Sequence, residues 1–390
     1  MISFDEAVRR VAEVARPLGR EPSPLAWAAG RVLAAPVTAM IDSPPADCSA
    51  MDGYAVREAD VPGRLRLIGT SFPGAGFDGA LEPGTCVRIF TGAPAPAGAD
   101  RVVIQEVAVK EGDCITIAGL PGPPRFIRTR GSDFRAGDVL LEAGRRLDPR
   151  ALVAAAGADV AEVETWRRPS VLVLGTGDEL VPPGEARGRP GAIPESIAPG
   201  VAALVEQHGG RSLGSHLIAD DLAALARMAG EALGEADLIV VTGGASVGER
   251  DFAKAMFEPH GLDPIFSKVA MKPGKPVWLG RAGGRLVLGL PGNPTSAMVT
   301  ARLLLAPLVA GLAGRAPALD WRSLPLAGPL PACGDRETFH RARLTGAGAV
   351  PLANQDSGAQ KALADADLLL RSRPNDPPRL AGEAVETLEF

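Results

Sequence analysis

The sequence predicts a multidomain protein in which an α/β domain is combined with β domains. The chain has 390 residues, enough for roughly two to four domains. Short β-type runs separated by Gly/Pro turns dominate up to about residue 147, whereas apolar runs alternate with helical segments from about residue 169. The 47 glycines and 36 prolines make up about a fifth of the chain, and hydrophobic residues make up 46%. We therefore expect many turns and enough apolar side chains for several cores.

The N-terminal segment predicts an amphipathic helix. Ser3-Phe4-Asp5-Glu6 matches a capping box, in which the serine side chain caps the first turn. Val8, Val11 and Val14 then fall on one helical face, and the helix is predicted to stop near Pro17. We expect residues 1–22 to form this helix and to pack on the linker or on the α/β domain.

An extended linker domain is predicted from two separate segments, residues 23–48 and 141–167. The first segment, from about Ser23 to Pro45, is broken by prolines and is expected to be extended. In the second, Asp148-Pro149 matches a helix cap followed by proline at the first helical position.

Residues 49–140 are predicted to form a β domain. The segment contains short runs such as Val87-Arg88-Ile89-Phe90, Arg101-Val102-Val103-Ile104 and Cys114-Ile115-Thr116-Ile117, and Gly/Pro turns separate them. No long helical period occurs there.

Residues 168–314 have the pattern of a doubly wound α/β domain. Val171-Leu172-Val173-Leu174 and Leu238-Ile239-Val240-Val241 are continuous apolar runs, which are typical of parallel strands covered on both faces. Helical segments alternate with them, and the last is predicted from Pro294 to Leu312. Residues 317–390 return to a Pro-rich, strand-like pattern and are predicted to form a small C-terminal β domain.

Composition and charge exclude several classes of protein. The net charge of -5 gives no basic surface for nucleic acid. The polar, acidic N-terminus does not match a signal peptide, and the apolar stretch Ala301 to Gly314 is predicted to be too short to cross a membrane. The four cysteines are far apart, which predicts reduced thiols in a cytoplasmic protein, and the four histidines are isolated, which argues against a zinc site.

Polar, glycine-rich turns follow three of the predicted strands. They are Gly175-Thr176-Gly177-Asp178-Glu179, Thr242-Gly243-Gly244-Ala245-Ser246-Val247-Gly248 and Leu290-Pro291-Gly292-Asn293-Pro294. The carboxyl ends of parallel strands meet at one sheet edge, where ligands bind in open α/β folds. Glycines there let backbone N–H groups and helix N-termini approach a phosphate. An anion-binding edge is therefore predicted; the alternative is that the turns serve only the topology.

One of these loops also matches a different chemistry. Gly244-Ala245-Ser246-Val247-Gly248 has the G-x-S-x-G pattern of a hydrolase nucleophile elbow after a strand. A serine hydrolase would also need a later acid and a later histidine, for which His260 and His340 are available. This alternative stays open from the pattern alone.

Two lysines and several carboxylates indicate a site for a compact oxyanion and a site for a metal ion. Met271-Lys272-Pro273-Gly274-Lys275-Pro276 holds two lysines in a proline-stiffened loop, which suits a compact oxyanion, although they could also be a solvated pair. Asp52, Glu179, Asp220 and Asp251 lie in or near predicted loops. Acids beside cationic loops suit Mg²⁺ bridged to substrate phosphates, whereas each acid alone could be a helix cap.

Six motifs then occur in a characteristic order: Ser49-Ala50-Met51-Asp52-Gly53-Tyr54-Ala55-Val56, Phe90-Thr91-Gly92-Ala93-Pro94, Gly175-Thr176-Gly177-Asp178-Glu179-Leu180, Thr242 to Gly248, Lys272-Pro273-Gly274-Lys275-Pro276 and Leu290 to Pro294. In this order the chain resembles the MoeA family of molybdopterin molybdenumtransferases, which is related to the gephyrin E domain. The resemblance covers essentially the whole chain.

The resemblance implies a four-domain, L-shaped protomer and a homodimer, with the active cleft between the α/β domain of one protomer and the β domain of the other. It implies an Mg²⁺-dependent cleavage of adenylylated molybdopterin, insertion of molybdate into the dithiolene and release of AMP, as a step of molybdenum cofactor biosynthesis. Candidate protein partners are the molybdopterin adenylyltransferase and an apoenzyme that receives the cofactor.

The resemblance also implies roles for individual residues. The catalytic set is Asp52, Glu179 and Asp251, and the Mg²⁺ set is Glu179, Asp220 and Asp251. The set that binds the substrate is Thr91, Asp220, Gly243, Gly244, Ser246, Pro291 and Asn293. The set that binds molybdate is Lys272, Lys275, Ser296, Arg341 and Ser357, with Arg336 as an alternative to Arg341.

One turn departs from the family pattern. Where the family has Gly-x-Ile-Tyr-Asp/Asn-Ser/Thr-Asn, this chain reads Gly191-Ala192-Ile193-Pro194-Glu195-Ser196-Ile197. The tyrosine and the final amide are missing, and proline has no N–H to donate. This departure motivates an alternative function, a paralogue that binds molybdopterin or the cofactor as a scaffold without turnover.

Overall fold

A computed structural model of the chain describes residues 1–119, 122–243 and 252–390. The chain forms two compact bodies. We call the first, Met1–Glu21 with Gly30–Ala34 and Thr165–Phe390, the α/β body, and the second, Pro22–Ala29 with Ala35–Glu164, the β body. Strands Arg20–Pro24 and Glu162–Trp166 carry the chain from one body to the other. The limits of the four predicted domains stay a prediction.

A six-stranded sheet forms the centre of the α/β body. Its strands, in spatial order, are Arg211–Ile218, Ser170–Thr176, Leu238–Thr242, Arg285–Leu290, Trp278–Ala282 and Asp263–Phe266. The first four are parallel, as predicted, and the last two are antiparallel additions at one edge. Ser170–Thr176 is buried along its whole length. Val171 and Val173 face one core and Leu172 and Leu174 face the other, as the period of two in a strand requires.

Helices cover both faces of this sheet and confirm the doubly wound arrangement. The larger core contains helices Phe4–Val14, Ile197–Gln207 and Pro294–Leu312, and the smaller core contains Leu222–Glu235 and Phe252–Ala255. Two short parallel strands, Leu180–Val181 and Ile193–Pro194, lie outside the central sheet.

Helix Pro294–Leu312 has the predicted bounds. It consists of Pro294–Thr300, a π-helical turn Ala301–Leu305 and Ala306–Leu312. Pro307 has no N–H and crowds the preceding turn, and the wider π turn accommodates it without a break. Among the described residues this 19-residue helix, which begins before the apolar stretch at Ala301, is long and apolar enough to cross a membrane by length and composition. However, 89% of its most apolar window is buried inside the protein, as in a core helix.

The N-terminal helix belongs to the α/β body. Ser3 caps it by accepting a hydrogen bond from the Glu6 N–H at 3.2 Å, as predicted, but the Glu6 carboxylate pairs with Arg9 and Arg10. Its fully buried side chains are Phe4, Ala7 and Val11, whereas Val8 and Val14 are only partly buried. The helical face that packs into the core therefore differs from the face predicted from the three valines.

A second six-stranded sheet lies near the C-terminus of the chain. In spatial order its strands are Met271–Lys272, Glu337–Thr345, Leu368–Ser372, Ala384–Glu389 and Arg322–Pro325, and Gly348–Pro351 pairs beside Glu337–Thr345. Helix Gln360–Ala364 follows the loop after Pro351. Met271–Lys272 joins this sheet by parallel pairing with Glu337 and Thr338, so C-terminal residues anchor the two-lysine loop.

The β body also contains a six-stranded sheet. In spatial order its strands are Arg101–Ile104, Gly53–Val56, Thr85–Ile89, Gly63–Ser71, Cys114–Ile117 and Ala108–Glu111. Two small antiparallel pairs accompany it, Cys48–Ser49 with Ile127–Arg128 and Val37–Thr38 with Val139–Leu141. Asp148 caps helix Pro149–Gly157 by accepting a hydrogen bond from the Ala151 N–H at 2.8 Å, as predicted.

Candidate functional site

Three strand ends meet at one edge of the central sheet. Gly175 lies beside Thr242, and Thr242 lies beside Leu290 in the register of the parallel strands. The turns that follow come close together: a Cβ added to Gly243 would lie 2.4 Å from the Thr176 carbonyl oxygen, and one added to Gly292 would lie 3.4 Å from the Gly243 Cα. Backbone at this edge is therefore packed too closely for a side chain at Gly243.

A cavity of about 710 Å³, which we call the strand-end cavity, opens at this edge. It brings together predicted residues from all three turns, because the turns follow neighbouring strands. The predicted residues that line it are Glu179, Asp220, Gly243, Pro291, Asn293 and Lys275.

Two of the predicted carboxylate residues, Glu179 and Asp220, line the strand-end cavity. The Glu179 side chain folds back over Gly177, where an added Cβ would lie 2.8 Å from Oε2. The backbone N–H of Asp220 donates to Asp178 Oδ1 at 3.0 Å, which holds the start of the next segment against the Glu179 turn. Carboxylate oxygens are among the ligands that Mg²⁺ prefers, so these two residues could hold the ion.

Other predicted residues lie outside the described part of the chain. These are Gly244, Ser246 and Asp251, together with the rest of the G-x-S-x-G pattern. Within the described ranges no three His, Cys, Asp or Glu side chains form a cluster that could hold a metal. The predicted set of three Mg²⁺ ligands includes Asp251, so it stays a prediction.

The turn that departs from the family pattern has a different helix cap. The Glu195 carboxylate is buried, and its Oε1 accepts hydrogen bonds from the N–H groups of Ile197 and Ala198, both at 2.8 Å. Helix Ile197–Gln207 therefore begins with two of its N–H groups satisfied although the amide expected at position 197 is absent. Pro194 lines the cavity in place of the expected tyrosine.

A second cavity of about 790 Å³, which we call the lysine cavity, lies beside the first. Lys275 and Pro276 line both cavities. Three further predicted residues line the lysine cavity: Lys272, Ser296 and Ser357. The Ser357 loop is held in place, because its carbonyl oxygen accepts from the Thr295 N–H at 3.2 Å and its Oγ accepts from Asn293 Nδ2 at 3.1 Å.

The two candidate arginines differ in position. Arg336 lines the lysine cavity, whereas Arg341 does not and is 1% exposed. Arg341 follows His340 on the same strand, so their side chains point to opposite faces of the sheet. Burial lowers the pKa of the Arg341 guanidinium. The geometry thus favours Arg336, the alternative that the sequence left open, as the arginine that can meet an oxyanion.

His340 also lines the lysine cavity, and it was not predicted as a site residue. Burial and, to a lesser extent, the charge of Lys272 lower the pKa of His340 to about 4, so its imidazole is neutral near pH 7. Gln360, which donates to Ser196 Oγ at 3.1 Å, and Lys268 are further residues of the strand-end cavity that no sequence motif indicated.

Asp52 and Thr91 form a pair in the β body. Asp52 Oδ1 accepts hydrogen bonds from the Thr91 N–H at 2.7 Å and from the Thr91 hydroxyl at 2.8 Å. These two hydrogen bonds, backbone first, lower the pKa of the Asp52 carboxyl. The carboxylate is therefore ionised at neutral pH and held in one orientation.

The comparisons with known proteins agree along the chain. Three family profiles match consecutive segments: MoeA N-terminal region (domain I and II) at residues 2–158, probable molybdopterin binding domain at 172–311, and MoeA C-terminal region (domain IV) at 323–390. The molybdopterin molybdenumtransferase of Haemophilus influenzae is 39% identical over 329 residues, which cover 83% of this chain and 80% of that protein. The enzyme of the same name from Synechococcus elongatus is 35% identical, with 92% of each chain covered.

Solved structures show the same fold. A crystal structure of the molybdopterin biosynthesis MoeA protein from Pyrococcus horikoshii superposes with a TM-score of 0.85 at 29% identity, and the match covers 100% of this chain and 99% of that one.

Proposed function

The chain belongs to the MoeA family, and from this premise we propose that it is a molybdopterin molybdenumtransferase that cleaves adenylylated molybdopterin, inserts molybdate into the dithiolene and releases AMP. The observation that carries the proposal is the pair of adjoining cavities. One suits a phosphorylated ligand, the other suits a compact oxyanion, and Lys275 lines both.

The strand-end cavity would bind the pterin phosphate. Gly243 and Gly292 have no side chain that could cover the backbone at the strand ends, and Asn293 stands at the start of helix Pro294–Leu312. Uncovered N–H groups and a helix N-terminus both favour an anion. Gly244 and Ser246, which follow Gly243 in the same loop, belong to the proposed phosphate site as well.

The lysine cavity would bind molybdate. Lys272, Lys275 and Arg336 supply positive charge, and the hydroxyls of Ser296 and Ser357 supply hydrogen-bond donors to an oxyanion. Because Lys275 belongs to both cavities, molybdate held there would be close to the ligand in the strand-end cavity.

The carboxylates would act on the phosphate bond. Glu179 and Asp220, with Asp251, would hold Mg²⁺, which when bound would neutralise charge on the substrate phosphates. Asp52, held in place by two hydrogen bonds from Thr91, would orient the attacking oxygen and accept its proton. Asp52 lies in the β body, and the proposal includes a homodimer because the family resemblance implies one. It also includes a cytoplasmic location and transient contact with the adenylyltransferase or with an apoenzyme that receives the cofactor.

The test is a defined reaction. The protein is mixed with adenylylated molybdopterin, Mg²⁺ and molybdate; AMP is quantified by chromatography, and active cofactor is quantified by reconstitution of an apoenzyme. We expect AMP and active cofactor from the native protein, and at least about a hundredfold slower AMP release from Asp52→Asn. Lys110→Ala, at an exposed position of the β body, serves as the control and should match the native protein.

A scaffold paralogue predicts a different result. It would bind adenylylated molybdopterin with the same affinity but release no AMP in the presence of Mg²⁺ and molybdate. Binding without AMP release, under conditions where the Haemophilus influenzae relative turns over, would overturn the proposed catalysis. Sedimentation of the native protein as a monomer at assay concentration would overturn the homodimer.

A further inference from the structure

Arg88 touches the residues next to both members of the Asp52–Thr91 pair. It lies on strand Thr85–Ile89 directly opposite Tyr54. Its Nη1 donates to the Gly53 carbonyl oxygen at 3.2 Å, and its Nη2 donates to Gln105 Oε1. Since Gly53 follows Asp52, the first of these hydrogen bonds fixes the backbone beside the carboxylate.

Two aromatic rings hold the same guanidinium. Arg88 lies 5.0 Å from the centroid of the Tyr54 ring and 4.9 Å from the centroid of the Phe90 ring. Phe90 precedes Thr91 and stacks on Phe72 with 5.0 Å between ring centroids. Cation–π contacts of this kind restrict the guanidinium to one position, so Arg88 connects the segment before Thr91 to the segment after Asp52.

Gln105 completes the connection. Its side chain accepts from Arg88, and its backbone N–H donates to the Asp52 carbonyl oxygen at 3.2 Å. Arg88 therefore joins the ends of three neighbouring strands, Gly53–Val56, Thr85–Ile89 and Arg101–Ile104, at the point where they present Asp52 and Thr91.

The charge of Arg88 is not used in an ion pair. Among the residues that the structure describes, no carboxylate lies within 4.0 Å of its guanidinium. Its positive charge instead acts through space on Asp52, where it adds to the two hydrogen bonds from Thr91 and opposes the effect of burial. Among the described residues, Arg88 is the charged residue that lowers the Asp52 pKa through space.

We propose that Arg88 is a positioning residue for the reaction: it fixes the loop that carries Asp52 and Thr91, so that the Asp52 carboxylate is held where it can accept a proton. The inference rests on the proposed function, in which Asp52 takes part in the cleavage.

The experiment compares three variants with the native chain. Arg88→Met removes the charge and both hydrogen bonds, Arg88→Lys keeps the charge but not the fork of donors, and Arg64→Met removes a charge from an exposed position of the same body. The carboxyl pKa of Asp52 is measured by NMR on protein labelled at the aspartate carboxyl carbon, with Asp52→Asn to assign the signal. AMP release and melting temperature are measured on the same samples.

In Arg88→Met we expect the Asp52 pKa to rise, because a nearby positive charge no longer favours the carboxylate. We expect its kcat for AMP release to fall at least about tenfold with little change in KM, since positioning affects the chemical step. Arg88→Lys should restore the Asp52 pKa but only part of kcat, and Arg64→Met should match the native protein.

The proposal is overturned if Arg88→Met leaves the kcat for AMP release unchanged, or if Arg88→Lys and Arg88→Met lose activity only in proportion to their loss of melting temperature. If the native protein releases no AMP, the proposed function fails, whereas the Asp52 titration still decides whether Arg88 acts on that carboxylate. If Arg88→Met does not fold, Arg88→Lys is compared with the native protein. A lower kcat with an unchanged Asp52 pKa supports the proposal, and an unchanged kcat contradicts it.

Discussion

Gly243 and Gly188 adopt similar backbone conformations but have different surroundings. Their φ angles are +89° and +79°, a region that side chains rarely occupy. A Cβ on Gly188 would meet nothing within 4 Å, whereas a Cβ on Gly243 would lie 2.4 Å from the Thr176 carbonyl oxygen. At residue scale, both glycines are therefore required by their positive φ angles. At Gly243 a side chain would also collide with the backbone beside the strand-end cavity.

Alanine substitutions separate these two needs. We expect Gly188→Ala to cost about 1–2 kcal/mol of stability, from the positive φ alone. Gly243→Ala should cost more and should weaken molybdopterin binding roughly tenfold or more, because the strand end at Thr176 has to move. Urea unfolding and calorimetric titration with molybdopterin measure the two effects, and equal ligand affinity in both variants would contradict the expectation.

At the scale of elements, helix Ile197–Gln207 is capped although the turn before it departs from the family pattern. The family pattern places an amide at position 197, and this chain has isoleucine there. The isoleucine side chain is buried in the larger core, and Glu195 provides the two hydrogen bonds that start the helix. The departure therefore changes the capping group and the cavity wall and leaves the helix in place, which favours the enzyme over the scaffold.

Removal of the Glu195 cap should affect both stability and the cavity. We expect Glu195→Ala to lose about 1 kcal/mol, as for other lost caps, and to weaken molybdopterin binding because Pro194 and Ile197 line the same cavity. Asp148→Ala removes a cap from a helix of the β body and is the matched control, with a similar loss of stability and unchanged binding. Unchanged binding in Glu195→Ala would contradict the link between cap and cavity.

Restoring the family residues tests the same point in the opposite direction. We expect the double variant Pro194→Tyr, Ile197→Asn to change the rate of AMP release by less than about tenfold, because the helix already has a cap. A much larger gain in the AMP assay would support the scaffold alternative.

At the scale of the whole molecule, a long-range strand pairing brings together the residues of the lysine cavity. Met271–Lys272 leaves the α/β segment to join the C-terminal sheet, which brings Lys272 beside Thr338 and His340. Lys275, three residues later, then lies between the two cavities. The two lysines belong to one short motif, but Lys272 lines only the lysine cavity, whereas Lys275 lines both cavities.

The two lysines should therefore give different binding defects. We expect Lys272→Ala to weaken binding of molybdate alone, whereas Lys275→Ala should weaken binding of both molybdate and molybdopterin, each by about tenfold or more for the loss of one charged hydrogen bond. Separate calorimetric titrations with each ligand measure this, and identical profiles for the two variants would show that Lys275 does not serve both cavities.

The sequence by itself determined the local features of this protein. Continuous apolar runs predicted the buried parallel strands, Ser3 and Asp148 predicted two helix caps, and glycine-rich turns predicted the sheet edge where the strand-end cavity opens. These features depend on periodicity and on groups a few residues apart, which are visible in a linear chain.

Only the tertiary structure decided which distant groups meet. It placed Arg336 rather than Arg341 at the lysine cavity, assigned the cap at residue 195, and joined Lys275 to both cavities. It also showed that Arg88 contacts the neighbours of Asp52 and Thr91. The physical reason is that side-chain direction, burial and charge at these positions depend on strand pairing and packing between segments far apart in the chain, for which one sequence has no local signal.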